Sequence, residues 1–277
     1  MKRLSLVVIG VGCLVFQAQA TVIFSDGFNY TTGTFLGNDD AWGSGKASNL
    51  QIGSGNLTYS GLNDLGGNDL VVTSGASTSD IHTYSAVSSG SIYFSFLIDC
   101  TTLPTGNNAL MALDPGTASP GQSSTANPVD GLTVYTGVLG TGYKIGVRVM
   151  SSGSGAVYDL TDFTSGLVVG TTYLVVGEYT FSSGSQVGNL YLDPIPGGLQ
   201  SAATLGATMS DNAASPAAID NVGVKAQSST GQGAYIIDNV LVGSTWEDVT
   251  APVPEPATFA LAGLGMLGLV LARRMRR

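Results

Sequence analysis

The chain has 277 residues, of which 43% are hydrophobic and only 10% are charged, and this composition excludes an intrinsically disordered protein. The formal net charge is −9, but six of the ten basic residues lie near the two ends. Residues 21–250 carry 4 basic and 18 acidic side chains, a formal charge of −14, so we expect no nucleic-acid partner.

The first 20 residues have the organisation of a secretory signal peptide. Two basic residues precede an apolar stretch at residues 4–16, and Ala18 and Ala20 form an A-x-A cleavage site. The pattern predicts a signal peptide at residues 1–20 that signal peptidase removes during export. The mature chain would then begin near Thr21.

Residues 21–250 show no sustained helical period. They contain short runs rich in Val, Ile, Leu, Tyr, Phe and Thr, separated by Gly, Ser, Asn and Asp. This pattern predicts one all-β domain, a two-sheet antiparallel sandwich. The long polar segment 114–130 is a predicted loop, and 199–216 is a looser segment rich in Ala, Ser and Thr. The predicted strands are 57–60, 70–73, 92–99, 131–135, 143–150, 172–181, 189–192, 219–225 and 234–242.

The tetrapeptide Ile-Asp-Asn-Val occurs twice, at residues 219–222 and 237–240. The two copies are predicted to be strands of one sheet. Asp220 and Asp238 lie within these apolar strands, and we expect their carboxylates to bond to nearby backbone or to face solvent.

The C-terminal residues 253–277 have three parts. A Pro-Glu-Pro block resists helix formation because proline fixes φ and lacks an N–H. The uncharged apolar stretch 257–272 follows, and a basic end completes the chain. A helix over 257–272 would be about 24 Å long, which predicts a single transmembrane helix in the inner membrane with its basic end in the cytoplasm. The defining residues are Pro254, Glu255, Pro256, Arg273 and Arg274.

This order of parts resembles the PEP-CTERM sorting signal of Gram-negative bacteria. The resemblance implies processing by an exosortase, a membrane-embedded enzyme that cuts near the Pro-Glu-Pro block. It also implies export, transient anchoring in the inner membrane, and a final place on the cell surface or in an extracellular matrix. Proteins of this kind are associated with exopolysaccharide and biofilm.

The domain resembles a second family at its two ends. The opening segment 24–30 with Gly33 and Trp42 resembles the first strand and loop of concanavalin A-like, LamG-type jelly-roll domains, and the closing segment 235–246 resembles their last strand. The resemblance covers about residues 21–250 and implies a jelly-roll sandwich whose first and last strands are neighbours. Relatives include lectins, glucanases and adhesion modules, so it does not decide the activity.

Catalytic residues are not evident in the domain. The glucanases of this fold carry E-x-D-x-x-E or E-x-D-x-E on one strand, and neither Glu178 nor Glu247 lies in such a motif. His82 is the sole histidine, Cys100 is the sole cysteine after signal removal, and no G-x-S-x-G occurs. We therefore predict a non-catalytic protein. The alternative is a secreted glycan-active hydrolase of the jelly-roll glucanase type, for which Glu178 is the residue to test.

Calcium is the one metal that the sequence favours. Two loops offer hard oxygen ligands, which Ca²⁺ binds in sets of about 6–8. The candidate ligands are Asn38, Asp39, Asp40, Asp64 and Asp69. The competing interpretation is turn chemistry, since Asn, Asp and Gly favour turns without any ion.

The leading hypothesis is thus a surface or matrix protein that binds exopolysaccharide. A purely structural matrix component that binds no glycan is a further alternative. Aromatic side chains that would stack on sugars in such a sandwich also serve as core residues. The aromatic candidates are Trp42, Tyr59, Tyr135, Tyr143 and Tyr158.

Overall fold

A computed structural model describes residues 21–38, 42–43, 49–75, 78–116, 123–124, 127–128, 131–149, 166–182, 186–211, 218–226 and 231–252. Its strands are β1 (Val22–Asp26), β2 (Leu50–Ile52), β3 (Leu70–Val72), β4 (Thr78–Val87), β5 (Ser91–Thr102), β6 (Asn108–Asp114), β7 (Ser123–Ser124), β8 (Asn127–Pro128), β9 (Leu132–Leu139), β10 (Gly142–Val149), β11 (Tyr173–Thr180), β12 (Gln186–Leu192), β13 (Leu205–Asp211), β14 (Ile219–Ala226) and β15 (Ala234–Gly243). Short 3₁₀ turns lie at Leu36–Asn38 and Gln200–Ala202, and helix α1 spans Trp246–Val249.

The strands form two antiparallel sheets that pack face to face. The larger sheet has the order β13-β12-β11-β5-β15-β3-β2, with β1 also paired to β15. The smaller sheet has the order β10-β9-β6-β14-β4. The main hydrophobic core fills the space between them, so the predicted all-β jelly-roll sandwich is confirmed. The first and last strands of the domain are paired, as the resemblance implied.

The larger sheet is buried on both faces at its centre. In β11, Val175 and Tyr179 point into the main core, whereas Leu174 and Val176 point to the opposite face. That opposite face carries a second hydrophobic cluster, here called the outer cluster, which α1 and two loops cover. Its members are Leu62, Tyr93, Leu97, Leu174, Val176, Tyr191, Leu241, Trp246 and Val249.

Helix α1 holds its place over the outer cluster through its N-terminus and its tryptophan. Thr245 and Asp248 form a reciprocal capping box, which satisfies N–H groups that a four-residue helix leaves open. The indole Nε1 of Trp246 donates to the carbonyl of Gly198 at 2.9 Å. These contacts join the end of the domain to the loop that follows β12.

Eight of the nine predicted strands overlap observed ones, but the prediction for 57–60 is wrong. This segment is a loop, because the backbone N–H of Leu57 donates to the Asp238 carboxylate at 2.8 Å and not to a neighbouring strand. Sequence analysis also missed β2, β4, β6 and β13, as well as the two-residue strands β7 and β8 inside the predicted loop 114–130. Strand β13 lies inside the Ala/Ser/Thr segment 199–216, and β6 contains none of the β-branched or aromatic residues that favour strands.

Strand β15 changes partner halfway along its length. Its first half pairs with β3 up to Ile237, and its second half pairs with β1 from Val240 onward, while β5 lies along its other edge. A bulge falls at the changeover, where Asn239 has a positive φ of 51°. The Asp238 and Asn239 side chains bond there to the loop before β3, accepting from the N–H groups of Leu57 and Leu65.

The other copy of Ile-Asp-Asn-Val has the same local role in β14. Asp220 accepts from the Gly116 N–H at 2.6 Å, and the amide of Asn221 donates to the Gly116 carbonyl. Both aspartates therefore bond to backbone, as expected. The prediction that the two copies lie in one sheet is wrong, because β14 belongs to the smaller sheet and β15 to the larger one.

No helix within the described ranges is long and apolar enough to cross a membrane. The predicted signal peptide at 1–20, with Ala18 and Ala20, lies outside the described residues. The same holds for the tail at 253–277 and its predicted helix 257–272.

The opening segment is organised by one carboxylate. Asp26 accepts from the Phe28 N–H at 2.7 Å, from the Tyr30 hydroxyl at 2.7 Å and from Trp42 Nε1 at 2.6 Å. Phe28 has a φ of 52°, a conformation that is uncommon for a bulky residue, and its N–H is held by this bond. The Asp26 carboxylate thereby explains why the aromatic residues of this segment occur together.

We expect Asp26→Asn to lower the free energy of unfolding by about 2–3 kcal/mol, because buried donors lose a charged acceptor. Urea unfolding followed by tryptophan fluorescence measures the change. Glu247→Gln, which removes an exposed carboxylate, is the matched control and should stay within about 0.5 kcal/mol of the wild type. Equal stabilities for the two variants would contradict this role of Asp26.

Candidate functional site

Glu178 is the most heavily hydrogen-bonded carboxylate among the described residues. It lies on the outer face of the larger sheet and is 7% exposed. Its Oε1 accepts from Tyr93 at 2.9 Å, Ser91 at 3.3 Å and Thr180 at 3.4 Å. Its Oε2 accepts from Gln200 at 2.8 Å, Asn189 at 3.0 Å and Tyr191 at 3.3 Å. These six donors are all neutral.

The strand register places Glu178 in a line of polar side chains that crosses four strands. Tyr93 is directly opposite Glu178, Asn189 is opposite Glu178 on the other side, and Thr208 is opposite Asn189. Thr208 Oγ1 donates to Asn189 Oδ1 at 2.8 Å, which continues the bonding outward. We call Tyr93, Glu178, Asn189 and Thr208 the polar row. With about 4.8 Å between strands, the row is about 14 Å long.

The side chains of the polar row become more exposed from Tyr93, near the centre of the sheet, to Thr208 at the sheet edge. Tyr93 is buried, Asn189 is half-buried and Thr208 on β13 is exposed. Gln200 bridges the row to the loop after β12, since its amide donates to both Glu178 and Tyr191. The surface therefore presents amide and hydroxyl groups that are fixed in orientation by one central carboxylate.

The chemistry of the row suits hydroxyl recognition. Amide oxygens and the Thr208 hydroxyl oxygen accept from hydroxyl groups, and the amides can also donate.

Sequence analysis singled out Glu178 but missed the rest of the row. Tyr93 and Glu178 lie in predicted strands, and Asn189 begins another. Their alignment depends on the register between strands that are distant in sequence, and no local pattern reveals it.

Most of the aromatic candidates for sugar stacking are core residues. Trp42, Tyr135 and Tyr143 are buried at 3%, 6% and 0% exposure, and Tyr59 is half-buried. Tyr158 lies outside the described residues.

His82 and Cys100, the residues that could supply a catalytic base and a nucleophile, both take part in packing. The His82 ring stacks on Phe24 with centroids 3.9 Å apart. Cys100 is fully buried, and burial raises the pKa of its thiol to about 11, so the reactive thiolate is disfavoured.

A second buried polar group lies on the smaller sheet. Arg148 is 1% exposed, and its Nη1 donates to the Tyr135 hydroxyl at 2.6 Å. The guanidinium carbon lies 5.9 Å from the Tyr135 ring centroid. This pair is less accessible than the open end of the polar row, which is why we place the candidate site on the larger sheet.

The residues predicted to bind calcium are only partly described. Asp39 and Asp40 lie outside the described residues, and Asn38 is exposed at the end of a 3₁₀ turn. The charges of Asp64 and Asp69 contribute to the raised pKa of Asp238, so both carboxylates lie near it. Within the described ranges, no group of three or more His, Cys, Asp or Glu side chains is arranged to hold a metal ion. Calcium binding therefore stays a prediction.

Asp238 is a fully buried carboxylate at the bulge in β15. Its pKa is raised from 3.8 to about 7, chiefly by burial; the bonds from the N–H groups of Leu57 and Asn239 act in the opposite direction, and the nearby charges of Asp69 and Asp64 contribute to the rise. The folded protein thus holds a proton here at pH values where the unfolded chain does not.

The chain carries a PEP-CTERM protein-sorting motif at residues 252–277, which confirms the resemblance of the C-terminus. The motif includes the predicted sorting residues Pro254, Glu255, Pro256, Arg273 and Arg274. No curated protein matches the chain.

Solved structures with a similar fold include both lectins and an enzyme. A glycoside hydrolase of the GH43 type, engineered for endo-xylanase and exo-arabinofuranosidase activity, is 12% identical with a TM-score of 0.44, over 82% of this chain and 41% of its own. Lectin II from Ulex europaeus is 12% identical with a TM-score of 0.41, over 80% and 99%. The cellulose-induced protein Cip1 is 15% identical with a TM-score of 0.43, over 71% and 85%. Likenesses this distant carry nothing about activity.

We expect the free energy of unfolding to decrease as pH rises through about 7, because the raised pKa of Asp238 stabilises the fold only while its carboxyl is protonated. The contribution is complete below the unfolded pKa of about 3.9 and is lost above the folded one. Its slope is at most about 1.4 kcal/mol per pH unit, one proton. Urea unfolding between pH 5 and 8 should give a flatter profile for Asp238→Asn; parallel profiles would contradict the assignment.

Calcium binding by Asp64 and Asp69 predicts a higher melting temperature in millimolar calcium than in chelator, since a ligand that binds only the folded state stabilises it. Asp69→Asn should abolish the difference. Glu247→Gln should preserve it. Identical melting temperatures of the wild-type domain with calcium and with chelator would remove the calcium site from the account.

Proposed function

We propose that the protein is a non-catalytic component of the cell surface or extracellular matrix that binds polysaccharide through the polar row. The PEP-CTERM motif makes it an export-processed surface protein. Transient anchoring in the inner membrane by residues 257–272, followed by exosortase processing, is the route we propose to that location.

The fixed Glu178 carboxylate is the observation that carries the binding proposal. Six neutral hydrogen-bond donors surround this carboxylate, which holds those amides and hydroxyls in a fixed orientation. A polysaccharide chain presents repeated hydroxyl groups, which pair with such side chains along a line. The row is open at Thr208, so a chain can enter from the sheet edge.

The charge of the domain indicates which polysaccharides fit. Residues 21–250 have a formal charge of −14, so a polymer rich in carboxylate or sulfate groups would be repelled. We therefore propose a neutral, hydroxyl-rich polysaccharide as the ligand.

Glu178 does not lie in the E-x-D-x-x-E or E-x-D-x-E motif that the glucanases of this fold carry, which supports binding without bond cleavage. A hydrolase would need a second carboxyl group as nucleophile or base. The glycan-active hydrolase remains the alternative that the following experiment tests.

We expect Glu178→Gln to weaken binding to a neutral polysaccharide about 10- to 100-fold, because loss of the carboxylate releases the amides and hydroxyls that it holds in orientation, and hydrogen bonds to a charged group are worth about 1.5–3 kcal/mol. Thr208→Arg, at an exposed position, should block the open end of the row with little change in stability. Binding is measured on a glycan array and by titration calorimetry, together with an assay for released reducing sugar.

Glu247→Gln is the control for loss of one negative charge and should bind as the wild type does. Thermal melting shows whether Glu178→Gln stays folded. Wild-type binding by folded Thr208→Arg would contradict the proposed location. Release of reducing sugar by the wild type that Glu178→Gln abolishes would establish the hydrolase instead.

A further inference from the structure

The chain leaves the domain along a fixed path. The Thr250 carbonyl accepts from the Gly197 N–H at 2.8 Å, and the Ala251 carbonyl accepts from the Asn63 N–H at 3.0 Å. Pro252 forms a bridge with Leu62. The last described residues are therefore held between two loops over the outer cluster.

The tail begins immediately after this fixed exit. Five steps along the chain lead from Pro252 to Ala257, where the apolar stretch begins. An extended chain covers at most about 3.3–3.6 Å per residue, so these steps span no more than about 18 Å. Headgroups occupy about 5–8 Å on each side of the hydrocarbon core. While residues 257–272 are in the bilayer, the exit must lie close to the membrane surface.

The loop at residues 194–199, here called the exit loop, presents two large aliphatic side chains beside this point. Ile195 is 79% exposed and Leu199 is 70% exposed, the highest values among the large hydrophobic residues described. The exit loop contains no charged residue.

Hydrogen bonds and packing hold the exit loop in place, so the exposure of its side chains is part of the fold. The Gly198 N–H donates to the Ile195 carbonyl at 2.8 Å, and the Gly198 carbonyl accepts from Trp246 Nε1. Gly197 has a φ of +71°, and a Cβ there would lie 3.0 Å from the Pro252 ring. The loop and the exit therefore pack together as one unit.

We propose that Ile195 and Leu199 insert into the bilayer interface while the precursor is anchored. The inference rests on the proposed anchoring by residues 257–272. A lipid surface is the partner that fits, because the tether brings the exit to the membrane and the exit loop offers apolar contact without charge. Two aliphatic side chains bind lipid weakly by themselves, so the contact is lost when the tail is removed and the domain is released.

The test uses residues 21–277 in liposomes of neutral phospholipid. Ile195→Cys and Val138→Cys, a 43% exposed position on the smaller sheet, each receive a nitroxide label; Cys100 is fully buried and resists labelling. Collision of the label with oxygen, which is enriched in lipid, is compared with collision with a polar nickel complex. We expect at least a several-fold higher oxygen-to-nickel ratio at position 195 than at position 138. Cutting the tail should abolish the difference.

The outcomes distinguish the lipid contact from the anchoring and from a contact with a protein partner. Equal ratios at the two positions in protein that floats with the liposomes would overturn the inference while the anchoring stands. Failure of the chain to float would overturn the anchoring and the inference with it. Protection of position 195 only after the processing enzyme is added would assign the exit loop to a protein partner and overturn the lipid contact.

Discussion

The pairing of β15 with β5, β3 and β1 is the constraint on which the domain depends. One strand from the end of the domain lies at the centre of the larger sheet and joins its N-terminal strands to its long middle strand. Because antiparallel pairing satisfies backbone groups on both edges, the domain is complete only when residues 234–243 are in place. The Asp238–Asn239 bulge lies where β15 stops pairing with β3 and starts pairing with β1. Its side chains bond there to the loop before β3.

The burial of the larger sheet on both faces follows from this arrangement. After β15, the chain turns back over the sheet, and α1 with Trp246 covers the outer cluster. The exit at Pro252 and the polar row around Glu178 both lie on this face. One face of the sheet therefore carries the proposed ligand site of the mature protein and the attachment point of the precursor.

Strands that alternate, or that are rich in β-branched and aromatic residues, were predictable from sequence. The composition and the contacts of the other segments explain why those were not. Strand β10 alternates and β15 is an apolar run, so both were found. Strand β4 is an exposed edge strand with a mostly polar sequence, and β13 resembles a loop in composition. The segment 57–60 has strand-like residues, but the Asp238 side chain takes its backbone bond. That contact joins residues 181 positions apart, beyond any local pattern.

The candidate site was predictable only in part for the same reason. Glu178 was visible as a rare glutamate without a catalytic motif, and Asp238 as an acid within an apolar strand. Their meaning comes from register and burial: Glu178 organises neutral donors from its own strand, two other strands and a loop, whereas Asp238 is buried near two other carboxylates. The sorting motif, in contrast, is a continuous segment and was fully readable.

Mass spectrometry of the C-terminus of the mature surface protein tests the central claim most directly. Backbone bonds and the bridge to Leu62 hold the chain as far as Pro252, and we propose that the tail beyond it is a removable address. The account predicts that the mature protein ends at residues 253–256 and melts as the unprocessed domain does. Recovery of intact Arg277 on the surface form, or a terminus before Thr250, would contradict it.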